Sequence, residues 1–236
     1  MIKVNKEVGE TPLELIQRIR TEMPDLENER ISYAGRLDPM AEGETILLIG
    51  YENNHREKYL GYDKEYVATF LVGFETDSGD ILGLITDSSF ERQSTSIIEN
   101  NVNSFKKIKK QTYPWFSGKT VNGKKLFEYF KAGDLSVERP CLGVEIKNVE
   151  FLDLKNIPKG DTKDYILESI PKVRGDFRQE KILEAWRKNF ESAPETFQVF
   201  DIKIRVSSGT FIRALVEEFE FPVCLLRLKR TKVFSE

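Results

Sequence analysis

The chain has 236 residues, 39% of them hydrophobic and 32% charged, with a formal net charge of −3. It contains one histidine, His55, so a Ser–His or Cys–His nucleophile pair and a multi-histidine metal site are both poor expectations. Absence of an apolar run of about 18 residues argues against a membrane span. The N-terminus lacks a signal-peptide core, and Cys141 and Cys224 stand in no CxxC spacing; the expectation is a cytoplasmic protein with reduced thiols.

Thr11-Pro12-Leu13-Glu14 reads as a helix start, with a Thr cap, Pro in the first turn and Glu placed for a capping box. Leu13 and Ile16, with Leu15 and Ile19, supply its buried face. The decapeptide Ala34–Gly43 contains two glycines and an Asp-Pro step, which predicts a tight loop presenting the carboxylate of Asp38. Tyr66, Ala68, Phe70 and Val72 alternate on one side of a strand. Thr76–Asp80 reads as a turn, and Ile81–Ile85 as the returning strand. Helical spacing joins Ile98, Val102 and Phe105, and also Leu126, Tyr129 and Phe130 before a Gly133 stop.

Val144–Phe151 is expected to be a strand and Ile182–Phe190 a helix, with Trp186 in the core. Phe200, Ile202, Ile204 and Val206 alternate as a strand that ends at Ser207–Thr210. A helix capped by Thr210 then carries Phe211, Leu215, Val216 and Phe219. No repeat or linker divides the chain, so one domain over 1–236 is expected. Hairpin-connected strands with helices at irregular intervals indicate an α+β fold rather than a doubly wound sheet.

Charge is segregated. Residues 106–125 carry seven lysines and no acid, whereas residues 74–101 carry six acids and one arginine, Arg92. Lysines interleaved with Tyr113, Trp115 and Phe116 suit a nucleic-acid backbone with bases to stack on, or else a solvated surface. Arg213 stands at the start of a helix, where the dipole disfavours a cation, so an anionic partner is expected. An arginine partner favours the charged form of a carboxylate, which is the nucleophilic one. Tyr66 offers a ring for stacking and a phenol for proton transfer. Each residue also has a plain structural reading: Asp38 as turn former, Arg213 as ion pair, Tyr66 as core aromatic. A glycosidase-like carboxylate pair would need a second acid facing Asp38, and Glu42 and Glu44 are the nearest in sequence.

Five segments in order resemble the TruB-type tRNA pseudouridine synthases. Gly35-Arg36-Leu37-Asp38-Pro39-x-Ala41-x-Gly43 is similar to their catalytic loop. Lys64-x-Tyr66-x-Ala68, with Gly73-x-x-Thr76-Asp77-Ser78-x-Asp80-x-x-Gly83, resembles the second motif. Gln111-x-x-Pro114-x-Phe116-Ser117-x-Lys119-x-x-Gly123-x-x-Leu126-x-x-Tyr129 resembles the RNA-clasping segment. Ser208–Arg213 and Leu228-Lys229-Arg230-Thr231 resemble the last two, and Lys6–Thr11 echoes the opening Lys-Pro-x-Gly-x-Thr.

The resemblance implies a pseudouridine synthase-like fold, a central mixed and mostly antiparallel sheet flanked by helices and loops, with an RNA-clasping insertion around 106–133. It implies an isomerase acting on a flipped-out uridine, with the tRNA T-loop position 55 as first expectation and another RNA stem-loop, or a non-catalytic RNA-binding module, as alternatives. Asp38 would be the nucleophile at the ribose C1′, Tyr66 the stacking and proton-transfer group, and Arg213 the charge partner. Tyr33, Arg36, Lys64, Lys119, Phe211 and Leu228 would meet the substrate. Tyr33 stands where the family usually has histidine, Arg36 where it has a small residue, and Phe211 where it has tyrosine. The chain ends five residues after Thr231, so no PUA domain is expected. Such an isomerisation calls for no metal, nucleotide or redox cofactor. The expected species is a monomer with tRNA or another structured RNA as partner and no membrane contact.

Overall fold

The computed structural model describes residues 1–235. Strand β1 (Ile2–Lys6) leads into α1 (Pro12–Glu22). The capping box forms as expected: Thr11 Oγ1 accepts the Glu14 N–H at 3.2 Å and Glu14 Oε2 accepts the Thr11 N–H at 2.8 Å. Leu15 and Ile19 bury against Leu47. Leu13 is 65% exposed, because it lies about 200° around the helix from Leu15. Strand β2 (Ile31–Ala34) pairs with β3 (Ala41–Ile49). The expected loop therefore shrinks to residues 35–40, and the end of the decapeptide begins a strand.

Helix α2 (Arg56–Leu60) precedes β4 (Lys64–Val72). The returning strand expected at 81–85 instead forms later, as β5 (Phe74–Thr76) pairs with β6 (Ile85–Ser88). Residues 81–84 are held by other contacts, including an Ile81 N–H bond to the Leu225 carbonyl at 3.2 Å. Helix α3 (Thr95–Ser104) runs into a short 3-10 turn, burying Ile98, Val102 and Phe105. Strand β7 (Lys110–Thr112) lies within the lysine-rich segment. A two-residue turn, Asn122-Gly123 with both φ positive, then joins β8 (Thr120–Val121) to β9 (Lys124–Lys125). Helix α4 (Leu126–Lys131) follows, and β10 (Cys141–Gly143) returns to pair with β7.

Strands β11 (Ile146–Pro158) and β12 (Thr196–Val206) form a long hairpin interrupted by α5 (Lys159–Ser169) and α6 (Gln179–Glu191). Trp186 is fully buried, and its Nε1–H donates to the Ile81 carbonyl at 3.1 Å. The helix expected after Thr210 is a 3-10 helix, Ile212–Glu218, and Thr210 does not cap it. The Thr210 hydroxyl donates to the Ser207 carbonyl at 2.9 Å, closing the preceding turn. Strand β13 (Val223–Val233) completes the chain's regular structure.

The main sheet has seven strands in the order β1-β3-β13-β4-β12-β11, with β2 also on β3. Only β13 and β3 pair in parallel, so the sheet is mixed and mostly antiparallel, in an α+β fold. Its two-residue alternation sends Phe70, Phe200 and Ile202 into a core shared with α3 and the 3-10 helix. The alternate residues, Leu71 and Val199, pack with α5 and α6 on the other face. Where β4, β13 and β3 meet, Tyr66 lies opposite Arg230, and Arg230 opposite Gly43. Gly43 is required there: with φ +109°, a Cβ would stand 2.2 Å from the Arg230 carbonyl oxygen.

Candidate active site

Asp38 is carried on the 35–40 turn, which is braced from below. The Gly9 N–H donates to the Pro39 carbonyl at 2.9 Å. The buried Lys6 ammonium donates to the carbonyls of Glu7 and Ala41 at 2.9 and 2.7 Å. Burial lowers the pKa of Lys6 to about 8, opposed by Glu10 and Asp38. The fixed backbone leaves Asp38 little freedom, and its side chain remains one-third exposed to the pocket.

Arg213 is the charge partner expected of it. Its Nε–H donates to Asp38 Oδ2 at 2.9 Å, and its two terminal nitrogens donate to the Ser78 and Phe116 carbonyls at 3.0 and 2.7 Å. The residue is 3% exposed. Burial disfavours its cation, but Asp38 and Asp80 outweigh that effect and raise its pKa. Asp80 is buried beside it. Burial pushes that carboxyl up to about 6, while Arg213 and the Ser78 hydroxyl pull it back. The Ser78 hydroxyl donates to Asp80 Oδ1 at 2.7 Å and the Leu82 N–H donates to the same oxygen at 3.0 Å.

A pocket of about 140 Å³ opens over Asp38, lined among others by Arg36, Lys64, Tyr66, Phe211, Leu228 and Arg230. Tyr66 is buried, and that burial raises its phenol pKa, with Arg230 acting in the opposite sense. Lys64 donates to the Leu60 carbonyl at 2.7 Å, and its pKa falls to about 8 through burial and the neighbouring Arg230 cation. A larger cleft of about 440 Å³ is lined by Arg213 and Arg139 together with a larger number of acids, Glu75, Asp77, Asp87, Glu217 and Glu220, and without Asp38. Its acidic rim repels phosphates. The smaller pocket, ringed by cations around one carboxylate, is the one suited to a nucleotide.

Of the residues singled out in the sequence, Asp38, Tyr66, Arg36, Lys64, Phe211 and Leu228 line this pocket, and Arg213 reaches it through its bond to Asp38. Lys119 stands outside it, its ammonium 5.1 Å from the Tyr113 ring centroid, and that ring in turn packs edge-on to Phe211 at 5.7 Å. Tyr33 is also outside: it packs against the cluster of Leu15, Ile19 and Leu47. Sequence reading left four contributors without a role: Lys6, Asp80, Gln111 and Arg230. Gln111 exchanges two hydrogen bonds with the backbone of Phe211, tying the lysine-rich segment to the Arg213 turn. Arg230 is fully buried and donates to the carbonyls of Gly35 and Glu44. All four lie within the family-like motifs, which was the signal the sequence held.

A family model described as TruB family pseudouridylate synthase (N terminal domain) matches residues 24–166. The chain belongs to the TruB family. Among TruB relatives, the tRNA pseudouridine synthase B of Lactobacillus acidophilus is 30% identical over 236 residues, covering 98% of this chain and 67% of its own. The enzyme of the same description from Psychrobacter cryohalolentis is 28% identical over 186 residues, covering 74% of this chain and 52% of its own. The chain thus spans about half the length of that TruB relative. A chain in the crystal structure of a Cbf5–Nop10–Gar1 complex superposes with a TM-score of 0.54 at 15% identity, over 97% of this chain and 47% of that one. This likeness extends to the fold.

Proposed function

We propose that this TruB-family chain is an RNA pseudouridine synthase whose nucleophile is Asp38 and whose substrate is a tRNA, with the T-loop uridine at position 55 as its target. The observation that carries the reading is the 2.9 Å bond from Arg213 to Asp38, whose carboxylate lines a pocket walled by Tyr66 and Leu228. The names of its relatives supply the tRNA. A uridine in a folded RNA must leave its stack to reach such a pocket, and apolar and aromatic walls offset part of that unstacking.

In the proposed reaction a carboxylate oxygen of Asp38 bonds to the ribose C1′ as the C1′–N1 bond breaks, releasing uracil as an anion. The ring turns, its C5 bonds to C1′, and the Asp38 carboxylate departs. The C5 proton is then lost and N1 is protonated. Tyr66 is a phenol at neutral pH and burial raises its pKa further, so it takes up the C5 proton only as its own passes to N1. Arg36, Lys64 and Arg230 supply positive charge for the nucleotide's phosphates. The 106–133 segment is the RNA clasp, and the working species is a monomer. The proposed compartment is the cytoplasm, and no helix among the described residues is long and apolar enough to cross a membrane.

The test is pseudouridine mapping on a tRNA transcript. The wild-type chain is expected to convert one T-arm uridine. D38N is expected to form no detectable product while its RNA affinity stays within about threefold, since removing a nucleophile deletes chemistry rather than uniform binding. Product formation by D38N at the wild-type rate would overturn the assignment. Tight RNA binding without modification by the wild type would favour an RNA-binding module on this scaffold.

A further inference from the structure

The helical hairpin inserted between β11 and β12 reaches the site through its connecting stretch, residues 172–178. Gly9, which supports Pro39 beneath Asp38, lies so close to Lys172 that a Cβ would stand 2.3 Å from the Lys172 carbonyl oxygen. Arg178, at the far end of the stretch, grips two further supports. Its terminal nitrogens donate to Asp77 Oδ2 and Oδ1 at 2.7 and 3.1 Å, while its guanidinium carbon lies 4.5 Å from the Phe116 ring centroid.

Those two supports carry the oxygens that orient Arg213. The Ser78 carbonyl belongs to the residue after Asp77, and the Phe116 carbonyl belongs to the stacked residue itself. One guanidinium therefore clamps both walls of the cradle in which the Arg213 fork rests. The pair is well shielded, with side chains 18% and 10% exposed. Asp77 Oδ1 also accepts the Leu84 N–H at 2.9 Å. Arg178 holds a left-handed backbone, φ +64°, a conformation that is unfavourable for a non-glycine residue and kept only where surrounding contacts over-determine it.

We propose that Arg178 is a positioning residue for Arg213, and through Arg213 for Asp38. It is a clamp supplied by the inserted hairpin, which locks the 76–80 turn and the 113–117 segment around the reacting pair. This rests on the reading of Asp38 and Arg213 as the reacting centre. A bidentate fork that also lies over an aromatic ring is a geometry lysine cannot reproduce, so the clamp depends on arginine and not on positive charge alone.

The experiment compares wild type, R178A, R178K and R174A in single-turnover pseudouridine formation, RNA affinity and backbone hydrogen exchange. Arg174 is the control: it lies in the same stretch but makes only an exposed 3.5 Å ion pair with Glu14. R178A is expected to slow the single-turnover rate constant roughly tenfold to a hundredfold, with RNA Kd changed less than about threefold, because displacement of a catalytic group by about 1 Å has that effect. Exchange should quicken at 76–80 and 113–117 and stay unchanged in β4 and β13. R178K should stay close to R178A, and R174A close to wild type.

A wild-type rate in R178A, full rescue by R178K, or exchange that quickens across the whole sheet would overturn the clamp. If the wild type forms no pseudouridine, the functional reading fails separately and the exchange arm decides. Unchanged protection in R178A overturns the clamp, whereas faster exchange at just those two segments sustains it.

Discussion

Asp38 shares Arg213 with a second carboxylate, and the two are held differently. Asp38 faces the pocket and takes one hydrogen bond from the guanidinium, whereas Asp80 is sealed behind it with the Ser78 hydroxyl and the Leu82 amide. Burial raises the Asp80 pKa to about 6, above the ordinary 3.8. Between those values the folded protein holds a proton that the unfolded chain has released. Its contribution to stability is therefore fully present below pH 3.8 and is lost as pH rises through about 6. D80N has no such proton, so the wild type should lose thermal stability relative to D80N between about pH 4 and pH 7. Parallel Tm profiles for the two proteins would show that Asp80 titrates as an ordinary carboxylate. Sequence alone singled out Asp38, Tyr66 and Arg213, because their residue types and their place in the motif order were enough to mark them. Asp80 and Lys6 received no role, since their importance lies in burial and in the carbonyls and charges around them.

At the scale of elements, the site depends on turns more than on helices. Gly79 sits in the 76–80 turn with φ +77°, and a Cβ there would lie 2.6 Å from the Arg213 carbonyl oxygen. G79A must shift either the turn or the 3-10 helix, and both carry contacts of the Arg213 fork. The expected outcome is a rate constant reduced by roughly tenfold or more with RNA affinity little changed, measured by single-turnover assay beside equilibrium binding. Retention of the full rate would mean that the turn can move without disturbing Arg213. The elements legible in the sequence were those with a simple period. Strand β12 alternates cleanly from Phe200 to Val206, and α6 presents Ile182, Trp186 and Phe190 to one side. Strand β3 escaped notice because Thr45, Ile46, Leu47 and Leu48 are buried in succession, covered on both faces. Strand β13 was hidden by its charges, one of which, Arg230, points inward and is fully buried. Thr210 has the residue type of a cap, yet its hydroxyl is spent on the turn before the helix, and Arg213 is held in a tighter 3-10 coil by three oxygen partners.

Over the whole molecule, a net charge of −3 understates how strongly the surface is divided. Carboxylates outnumber cations in the larger cleft that Arg213 lines, and cations surround the Asp38 pocket. Lysines 119, 124 and 125 extend the basic side across the 106–133 segment, each ammonium within 5.6 Å of an aromatic ring centroid. Under the proposed function, an RNA backbone would be drawn to the basic side and repelled from the acidic one, which would favour entry of a flipped base from the basic side. Affinity from such ion pairing arises largely from counterion release and must weaken with salt. The K119A/K124A/K125A variant should bind tRNA more weakly at about 50 mM KCl. Its plot of log affinity against log salt should be shallower by about one unit for each phosphate that the lysines no longer neutralise. D38N, whose charge change lies inside the pocket, should keep a slope near that of the wild type. Measurement of Kd from about 50 to 200 mM KCl by fluorescence anisotropy separates the cases. A triple variant with an unchanged slope would take this segment out of the RNA interface and leave the cations of the Asp38 pocket to hold the substrate alone.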